Sequence, residues 1–543
     1  MAHREEQARR HGAERVVVVG HGMAGTRFVQ ELRARDRERR FDVTVIGAEP
    51  DAAYNRVLLS SVLAGKLTPT DVEMVPSAWY AAEDVDLRLG VAVEHIDRKR
   101  QRILTDQGEY IGYDHLVLAT GSRAWVPPIE GAVDGDELDR DVAVFRTLQD
   151  CRAIMDRVDR GADEAAGGIR RVVVLGGGLL GLEAARGLAG RGVEVEVVHA
   201  VDRLMERQLD AEAGRVLAGT LRSLGVQVRL EAQVRAYDEV AGQRVVVLDD
   251  GTRIAADLLI VACGVRPNTG LARAAKLAVE RGVVVNERMT SVSDPRIHAI
   301  GECAQYDGQV YGLVAPAWEQ AGVLADTLTG GGSVYSGSRL VTRLKAQDID
   351  LAAMGETDVD DVAEGSVAGV ARNGARAADR VEVLRFADPI RGTYQKLVIR
   401  NDRVTGAIML GGAETVGTVT QLFDRVALAP ADRRALIFPG IADAGLNTAP
   451  ADLADDDLVC RCNTVTAGQI RHACADGAGT VAEVAMCTRA TTGCGGCRDD
   501  VVGIVAAATS ADRTAGDGDG ADDALSVPDR PDDVDANLVE VPA

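Results

Sequence analysis

Two stretches of the chain share one pattern of hydrophobic and polar positions. Val16 to Val19 form a continuous apolar run, and Val172 to Leu175 form another. Apolar runs without polar alternation are typical of strands buried on both faces of a parallel sheet. Each run leads into a glycine-rich turn, a helical pattern and a further strand. The repeated strand, turn, helix and strand predict two α/β units of the same construction.

The first glycine-rich turn contains Gly20, Gly22 and Gly25 in a GxGxxG spacing between strand and helix. Glycines in this spacing permit a tight turn, close approach of a pyrophosphate and close helix–strand packing. The helix N-terminus adds backbone N–H groups and the positive end of its dipole. After the next strand comes Glu49, 24 residues past Gly25, where an acid can accept hydrogen bonds from ribose hydroxyls. This unit is therefore predicted to bind a dinucleotide.

The second turn repeats the spacing 156 residues later, with Gly176, Gly178 and Gly181. Two complete motifs predict two bound dinucleotides. Glu183 follows on the helix and is a further candidate cofactor-binding residue. Where a ribose acid is expected the sequence has His199, with arginines close behind it. Because a basic residue can also accept a 2′-phosphate, the sequence leaves NADH and NADPH open.

Three later strand ends carry small or acidic residues. Thr120 and Gly121 follow one apolar run, Gly264 follows another, and "RIHAIGE" ends in Gly301 and Glu302. Doubly wound sheets bind their ligands outside the carboxyl ends of the strands. We therefore expect these residues to lie close to a cofactor.

Composition and charge restrict the class of protein. A chain of 543 residues exceeds one core and predicts several domains, and its net charge of −22 argues against nucleic acid as a partner. The sequence shows neither a run of eighteen apolar residues nor an apolar segment typical of a secretory signal at its start. We therefore expect a cytoplasmic protein with no membrane partner. Residues 511–543 carry ten acidic and two basic residues and are predicted to be a disordered acidic tail.

The order of these motifs resembles the two-dinucleotide-domain FAD/NAD(P)H oxidoreductases. The resemblance covers residues 15–330 and rests on both GxGxxG turns, "ATGS", "GVRPN" and the "GE" strand end. It implies that the first turn binds FAD, that the second binds NAD(P)H, and that Glu302 holds the flavin ribityl chain. Arg56 and Ser60 in "YNRVLLSS" match positions that contact the flavin diphosphate, and Ser61 replaces the usual lysine.

Thiol chemistry is not expected in this part of the chain. Thiol–disulfide reductases of this fold carry a Cys-x4-Cys, and the corresponding stretch "AYNRVLLSSVLAG" contains no cysteine. Cys303 lies beside Glu302, but cysteines in such positions are more often small buried apolar residues.

Four cysteines near the end of the chain form a separate set. They are Cys460, Cys462, Cys494 and Cys497. A cytosolic location disfavours disulfides and leaves structural zinc or an iron–sulfur cluster, and the tight Cys-x-Cys favours the cluster. "CRCNTVT…TGCGGC" resembles the bacterioferritin-associated-ferredoxin-like domain, which implies a [2Fe–2S] cluster on these four residues. Between the pairs the pattern predicts helices over Ala467–Cys474 and Val481–Thr488, so Cys474 and Cys487 are expected to be packing residues.

The cofactors together indicate a chemistry. Hydride delivers two electrons at once, a flavin can hold both, and a [2Fe–2S] centre accepts one at a time. The pair would therefore convert two-electron into one-electron transfer, with a metal-containing acceptor downstream. This electron-transfer chemistry requires no catalytic acid–base pair.

Two further stretches narrow the resemblance. "VVHAVDRLMERQLD" and "LVTRLKAQDIDLAAMG" resemble the N-terminal half of the bacterial NAD(P)H-dependent assimilatory nitrite reductase large subunit and its nitrate reductase electron-transfer relatives, over residues 15–505. That large subunit continues into a sirohaem and [4Fe–4S] half, whereas no cysteine follows Cys497 here. We therefore expect electrons to pass to a separate nitrate or nitrite reductase. A general ferredoxin or rubredoxin reductase and a redox sensor are the alternatives, and a homodimer is compatible with the sequence.

The predicted fold is α/β, with two Rossmann-like dinucleotide-binding domains, an α+β domain that includes an "RNDR" hairpin turn, and a small helical [2Fe–2S] domain. The predicted domains are residues 15–135 with 266–330 for FAD, 136–265 for NAD(P), 336–440 for the α+β domain, 455–505 for the cluster, and the tail 511–543.

Overall fold

The structure is a computed structural model that describes residues 12–135, 137–160, 169–346, 348–359, 381–412, 415–438, 450–460, 463, 465–491 and 497–516. Its strands are β1 Glu14–Val19, β2 Phe41–Gly47, β3 Val85–Leu89, β4 Val93–Asp97, β5 Arg102–Thr105, β6 Tyr110–Gly112, β7 His115–Leu118, β8 Ser122–Ala124, β9 Val133–Asp134, β10 Glu137–Leu138, β11 Val142–Val144, β12 Arg171–Leu175, β13 Glu194–Val198, β14 Val226–Arg229, β15 Val234–Val240, β16 Gln243–Leu248, β17 Arg253–Ala255, β18 Leu258–Val261, β19 Val265–Pro267, β20 Val283–Val285, β21 Ile297–Ala299, β22 Ala304–Tyr306, β23 Val341–Ala346, β24 Ile349–Gly355, β25 Val381–Asp388, β26 Thr393–Arg400, β27 Arg403–Leu410, β28 Leu458–Cys460 and β29 Val465–Thr466.

The α-helices are α1 Met23–Arg35, α2 Leu59–Leu63, α3 Ser77–Ala82, α4 Leu148–Arg160, α5 Leu179–Ala189, α6 Ala211–Ser223, α7 Gly270–Ala274, α8 Val314–Leu328, α9 Val416–Arg425, α10 Ala467–Ala475, α11 Val481–Thr488 and α12 Arg498–Gly516. Short 3₁₀ turns lie at Arg56–Leu58, Gly301–Cys303, Arg433–Leu436 and Pro450–Asp452.

Two five-stranded parallel sheets form the body of the protein. The first has the order β21–β7–β1–β2–β3, and the second has the order β11–β18–β12–β13–β14. The apolar runs predicted from the sequence are the central strands β1 and β12, and Val16 and Val174 are fully buried. Helices cover both faces of such sheets, which explains why these strands lack polar alternation. Helices α1 and α8 pack against each other beside the first sheet.

An antiparallel sheet follows, in the order β23–β24–β27–β26–β25, and α9 packs on it. The predicted "RNDR" turn joins β26 to β27, where Arg400 pairs with Arg403. Asn401 and Asp402 have φ values of +49° and +61°, the left-handed conformation that a two-residue hairpin turn requires. The prediction of a strand-rich unit closed by a helix is therefore confirmed for its described residues.

The C-terminal described part is a small helical unit with its own core, formed by α10, α11, α12 and the β28–β29 hairpin. Capping boxes begin α10 at Thr466 and α11 at Thr480, which explains why both helix starts could be read from the sequence. Helix α12 extends to Gly516, so residues 511–516, predicted as tail, are helical. Residues 517–543 lie outside the described part.

Taken over the described residues, no helix combines the length and the apolar composition that crossing a membrane requires.

Candidate dinucleotide and cluster sites

The first GxGxxG turn joins β1 to α1 and lies against the end of β7. Gly20 has a φ of +117°, and a Cβ there would collide with the Ala119 carbonyl oxygen. A Cβ on Gly25 would collide with the Gly20 carbonyl oxygen. In contrast, a Cβ on Gly22, the N-cap of α1, would meet nothing within 4 Å. Gly20 and Gly25 are therefore required by backbone packing, while Gly22 leaves space for a ligand at the helix N-terminus.

The second turn, between β12 and α5, has the same construction. Gly176 also has a φ of +117°, and its Cβ would collide with the Ala262 carbonyl oxygen. A Cβ on Gly181 would collide with the Gly176 carbonyl oxygen, whereas one on the N-cap residue Gly178 would meet nothing within 4 Å. Both turns thus fit the pyrophosphate of a dinucleotide in the same way.

Glu49 lies within a polar cluster in the first unit. The Tyr54 hydroxyl donates to its carboxylate at 2.6 Å, and Arg56 forms an ion pair with it. Burial raises the pKa of Tyr54, which keeps the hydroxyl protonated as a donor. The guanidinium of Arg56 also lies 4.9 Å from the centre of the Tyr54 ring. The structure therefore brings together two of the predicted site residues, Glu49 and Arg56.

Glu302 lies in a second polar cluster at the end of β21. Ser122 donates to its carboxylate at 2.5 Å, and Arg146 forms an ion pair with it. Arg56 donates to the Arg146 carbonyl oxygen at 3.2 Å and so links the two clusters. Arg146 was missed by sequence reasoning, because the ion pair joins residues 156 positions apart. The only local signal was an arginine shortly after the buried strand β11.

Two buried polar atoms in this region have no hydrogen-bond partner among the described residues. They are the Ser60 hydroxyl oxygen and Nε of Arg146. Buried polar groups are normally satisfied, so these atoms fit a polar ligand such as a diphosphate or a ribityl chain. Ser60 lies on α2, directly after the turn that carries Arg56.

The remaining predicted residues of the first site, Thr120, Gly121 and Gly301, lie in turns that are held by hydrogen bonds. The Thr120 hydroxyl donates to the Asn268 carbonyl oxygen at 2.8 Å, and the Asn268 N–H donates to the Gly121 carbonyl oxygen at 2.9 Å. This ties the "ATGS" and "RPN" turns together. Gly301 has a φ of +73° and donates its N–H to Gln320 at 2.8 Å.

His199 lies immediately after β13 and supports the second turn. The Gly177 N–H donates to its Nδ1 at 3.1 Å, and its Nε2 lies 3.3 Å from a carboxylate oxygen of Glu206. Glu206 was not identified from the sequence, because it lies on the loop after the strand and not at the strand end. Glu183 on α5 is buried, and Gly264, which directly precedes β19, has a φ of +95°.

The two predicted ribose positions are not structurally equivalent. Strand registers pair Val19 with Ile46 and Leu175 with Val198, which makes His199 the counterpart of Gly47. Glu49 lies two residues further on. A Cβ on Gly47 would lie 2.7 Å from Cβ of His21, and one on Gly177 would lie 2.9 Å from Cγ of His199. Each unit therefore pairs one histidine with one glycine at this contact, in opposite order.

His21 contributes no cation to the first turn near neutral pH. Burial lowers its pKa to about 4, despite an opposing effect of Glu49. Its Nε2 lies 2.8 Å from the Tyr80 hydroxyl. The phosphate-binding capacity of this turn thus comes from backbone N–H groups and the helix dipole.

Cys460 and Cys497 are both buried in the core of the small helical unit. Cys462 and Cys494, the other two predicted ligands, lie outside the described residues. Within the described residues no group of three or more metal-ligating side chains occurs. Cys474 is buried on α10, as expected for a packing residue, whereas Cys487 is exposed on α11, so the expectation of a packing role is wrong for Cys487.

Cys303 is a buried structural residue. Its Sγ lies 3.3 Å from the Leu118 carbonyl oxygen, and burial raises its pKa. A buried thiol with a raised pKa is a poor nucleophile, which agrees with the expectation for this position.

Three known protein families match parts of this chain. The pyridine nucleotide-disulphide oxidoreductase family matches residues 14–321, the rubredoxin NAD+ reductase C-terminal domain matches residues 341–425, and the BFD-like [2Fe-2S] binding domain matches residues 458–507. The covalent putidaredoxin reductase–putidaredoxin complex superposes with a TM-score of 0.65 at 26% identity, over 78% of this chain and 98% of that chain.

Two relatives come from Bacillus subtilis (strain 168). The nitrite reductase [NAD(P)H] is 35% identical over 493 residues, which are 90% of this chain and 57% of the relative. The assimilatory nitrate reductase electron transfer subunit is 33% identical over 503 residues, which are 92% of this chain and 60% of the relative. The chain thus spans less than two thirds of the length of these relatives.

Fold and sites together define a flavoprotein oxidoreductase of α/β class with a small helical [2Fe–2S]-binding domain. The chain belongs to the pyridine nucleotide-disulphide oxidoreductase family, whose cofactors are FAD and NAD(P)H. The [2Fe–2S] domain favours the iron–sulfur interpretation of the four cysteines over zinc.

Proposed function

We propose that this protein passes electrons from NAD(P)H, through FAD and a [2Fe–2S] cluster, to a separate nitrate or nitrite reductase in the cytoplasm. The observation that carries the proposal is the presence of two turns of the same construction, each with an open second glycine, on a chain that also carries a [2Fe–2S]-binding domain. The two Bacillus subtilis relatives named above support the choice of acceptor.

Gly20, Gly22 and Gly25 and the N-terminus of α1 hold the FAD pyrophosphate, and Gly176, Gly178 and Gly181 and the N-terminus of α5 hold that of NAD(P)H. The residues that orient FAD are Glu49, Arg56, Ser60, Thr120, Gly121, Gly301 and Glu302. Those around the nicotinamide dinucleotide are Glu183, His199 and Gly264. The cluster ligands are Cys460, Cys462, Cys494 and Cys497.

The side chains position the cofactors and neutralise their charge, and none of them is required to transfer a proton. Bound FAD would supply two-electron hydride chemistry, and a bound cluster would supply one-electron chemistry. Glu302 is held by Ser122 and Arg146, and its carboxylate would accept hydrogen bonds from the hydroxyl groups of a bound ribityl chain. Arg56 provides a cation beside the candidate diphosphate position. The domain limits predicted from the sequence are part of this proposal, since each α/β unit has a sheet of its own.

The experiment is a reconstitution with purified acceptors. NADH or NADPH, the purified chain and either a nitrate reductase or a nitrite reductase should together reduce nitrate or nitrite, while the chain alone should not. Turnover of nitrite by the chain alone would contradict the proposal of a separate acceptor.

A general rubredoxin or ferredoxin reductase is the second candidate. The match to the rubredoxin NAD+ reductase C-terminal domain favours it, as does 32% identity to the rubredoxin-NAD(+) reductase of Alcanivorax borkumensis over 58% of this chain and 78% of that protein. Comparable rates with rubredoxin, ferredoxin and the two reductases would favour this candidate over the first.

A further inference from the structure

One arginine of the [2Fe–2S]-binding domain reaches the first α/β unit. Arg489 donates from Nη1 to the Met74 carbonyl oxygen and from Nη2 to the Glu73 carbonyl oxygen at 3.4 Å. The two ends of the first contact lie 415 positions apart in the chain. Burial lowers the pKa of the Arg489 guanidinium, as expected for a cation partly removed from water.

The backbone of Arg489 joins the two cysteine-bearing stretches. It ends α11 in a left-handed conformation with a φ of +65°, which is uncommon for a residue other than glycine. Its carbonyl oxygen accepts from the Asn463 side-chain amide at 2.5 Å, and Asn463 directly follows Cys462. Cys494 lies five residues after Arg489. In the chain, Arg489 thus lies between the two predicted ligand pairs, and it is hydrogen-bonded to the residue that follows the first pair.

On the other side of the contact, residues 72–74 are paired with the segment that leads to the candidate flavin site. The Met74 N–H donates to the Ala53 carbonyl oxygen at 2.7 Å, and the Asn55 N–H donates to the Val72 carbonyl oxygen at 2.7 Å. Arg56 follows Asn55 directly. A short path of hydrogen bonds therefore connects Arg489 to the diphosphate-binding candidates.

We propose that Arg489 is a positioning residue that holds the [2Fe–2S]-binding domain against the FAD-binding unit. It thereby fixes the distance between the FAD site and the cluster site. The expected effect on electron transfer rests on the proposed function, since a fixed distance matters for transfer between FAD and the cluster. Its structural content does not depend on which acceptor is used.

The domain should remain folded when this contact is removed. The core of the helical unit is built from apolar side chains such as Ile470, Val484 and Val501, and a substitution of Arg489 changes none of them. Another contact, the ion pair of Arg425 on α9 with Asp457, also joins this unit to its neighbour. Removing the Arg489 side chain should therefore weaken the contact between the helical unit and the first α/β unit without separating the two.

The test compares Arg489→Ala with Arg489→Lys in the full chain. Arg498→Ala is the matched control, because Arg498 is an exposed arginine of the same domain. The primary measurement is hydrogen–deuterium exchange of the Met74 and Asn55 amides in protein as purified. Loss of a charge-assisted hydrogen bond should accelerate this exchange by about tenfold or more in Arg489→Ala. Arg489→Lys should be intermediate, since an ammonium group keeps the charge but lacks the fork geometry.

The second measurement follows cluster reduction after mixing with NADH or NADPH. In Arg489→Ala the flavin should bleach at the wild-type rate, the iron content and the dithionite-reduced EPR spectrum should be unchanged, and cluster reduction should be slower. Wild-type exchange at both amides in Arg489→Ala would overturn the inference. If that variant does not accumulate, wild-type exchange in Arg489→Lys would overturn it equally. A wild-type flavin that neither NADH nor NADPH reduces would instead refute the proposed function and leave the exchange result valid.

Discussion

Two substitutions in the second glycine-rich turn should separate cofactor affinity from protein stability. Gly178→Ala places a Cβ where nothing lies within 4 Å, on a backbone with a φ of −82°. The loss of a favourable N-cap residue and the gain from a less flexible unfolded chain are each about 1 kcal/mol or less and oppose each other. Stability should therefore change by less than about 1 kcal/mol. The new methyl group would, however, occupy the space predicted for the pyrophosphate.

Gly181→Ala should behave differently. Its Cβ would collide with the Gly176 carbonyl oxygen and lie 3.3 Å from Cβ of Ala262. Both neighbours belong to tightly packed backbone segments, so the cost should be about 1–3 kcal/mol or more, as for other overpacked sites. This variant should unfold at a clearly lower temperature than wild type.

The assay combines thermal unfolding with the concentration dependence of flavin reduction. For Gly178→Ala we expect a wild-type melting temperature and an NAD(P)H dissociation constant raised by about tenfold or more, the equivalent of one charge-assisted hydrogen bond. Gly178→Ser tests the same space with a better N-cap residue. Wild-type affinity in Gly178→Ala, or wild-type stability in Gly181→Ala, would refute the reasoning from the turn geometry.

Three further predictions concern single side chains. Glu206→Gln should lower the ratio of kcat/KM for NADH to that for NADPH, because the carboxylate beside the second turn repels a 2′-phosphate; Glu194→Gln, at the opposite end of β13, should not change the ratio. Lys396→Met should cost about 3–5 kcal/mol in chemical denaturation by leaving Asp210 buried without its cation, 2.8 Å away in the native protein, and adding Asp210→Asn should recover part of the loss. His298 is buried, and desolvation is the main cause that lowers its pKa to about 3. In the unfolded chain its pKa is about 6.5. The unfolded state therefore takes up the proton first, so the free energy of unfolding declines as pH falls from about 6.5 toward 3. His298→Asn should reduce the decline in unfolding free energy between pH 7 and pH 5, and an unchanged decline would exclude this cause.

Local patterns explain which features could be predicted from the sequence. The buried runs of β1 and β12, the two GxGxxG turns and the "RNDR" hairpin depend on residues close together in the chain. The bounds of α11 agree with the prediction, and α10 ends one residue later at Ala475. In each case the signal is a cap, a turn or a period contained in fewer than twenty residues.

The other features depend on contacts between distant parts of the chain. Arg146 meets Glu302, and Arg489 meets Met74, only because the tertiary fold brings them together. The first unit has His21 and Gly47 where the second has Gly177 and His199. This correspondence is visible only when the strand registers are compared. Sequence spacing alone placed Glu49 and His199 in the same role, whereas the registers put them two positions apart.

The central claim is that one chain binds FAD and a [2Fe–2S] cluster and reduces both from a nicotinamide dinucleotide. The most direct measurement is an anaerobic titration of the purified protein with NADH and, separately, NADPH, followed by absorbance and low-temperature EPR. We predict bleaching of the flavin absorbance, then an S = 1/2 signal of a reduced [2Fe–2S] cluster that is absent when Cys460 is replaced by serine. Flavin bleaching without that signal, together with zinc in the metal analysis, would contradict the account.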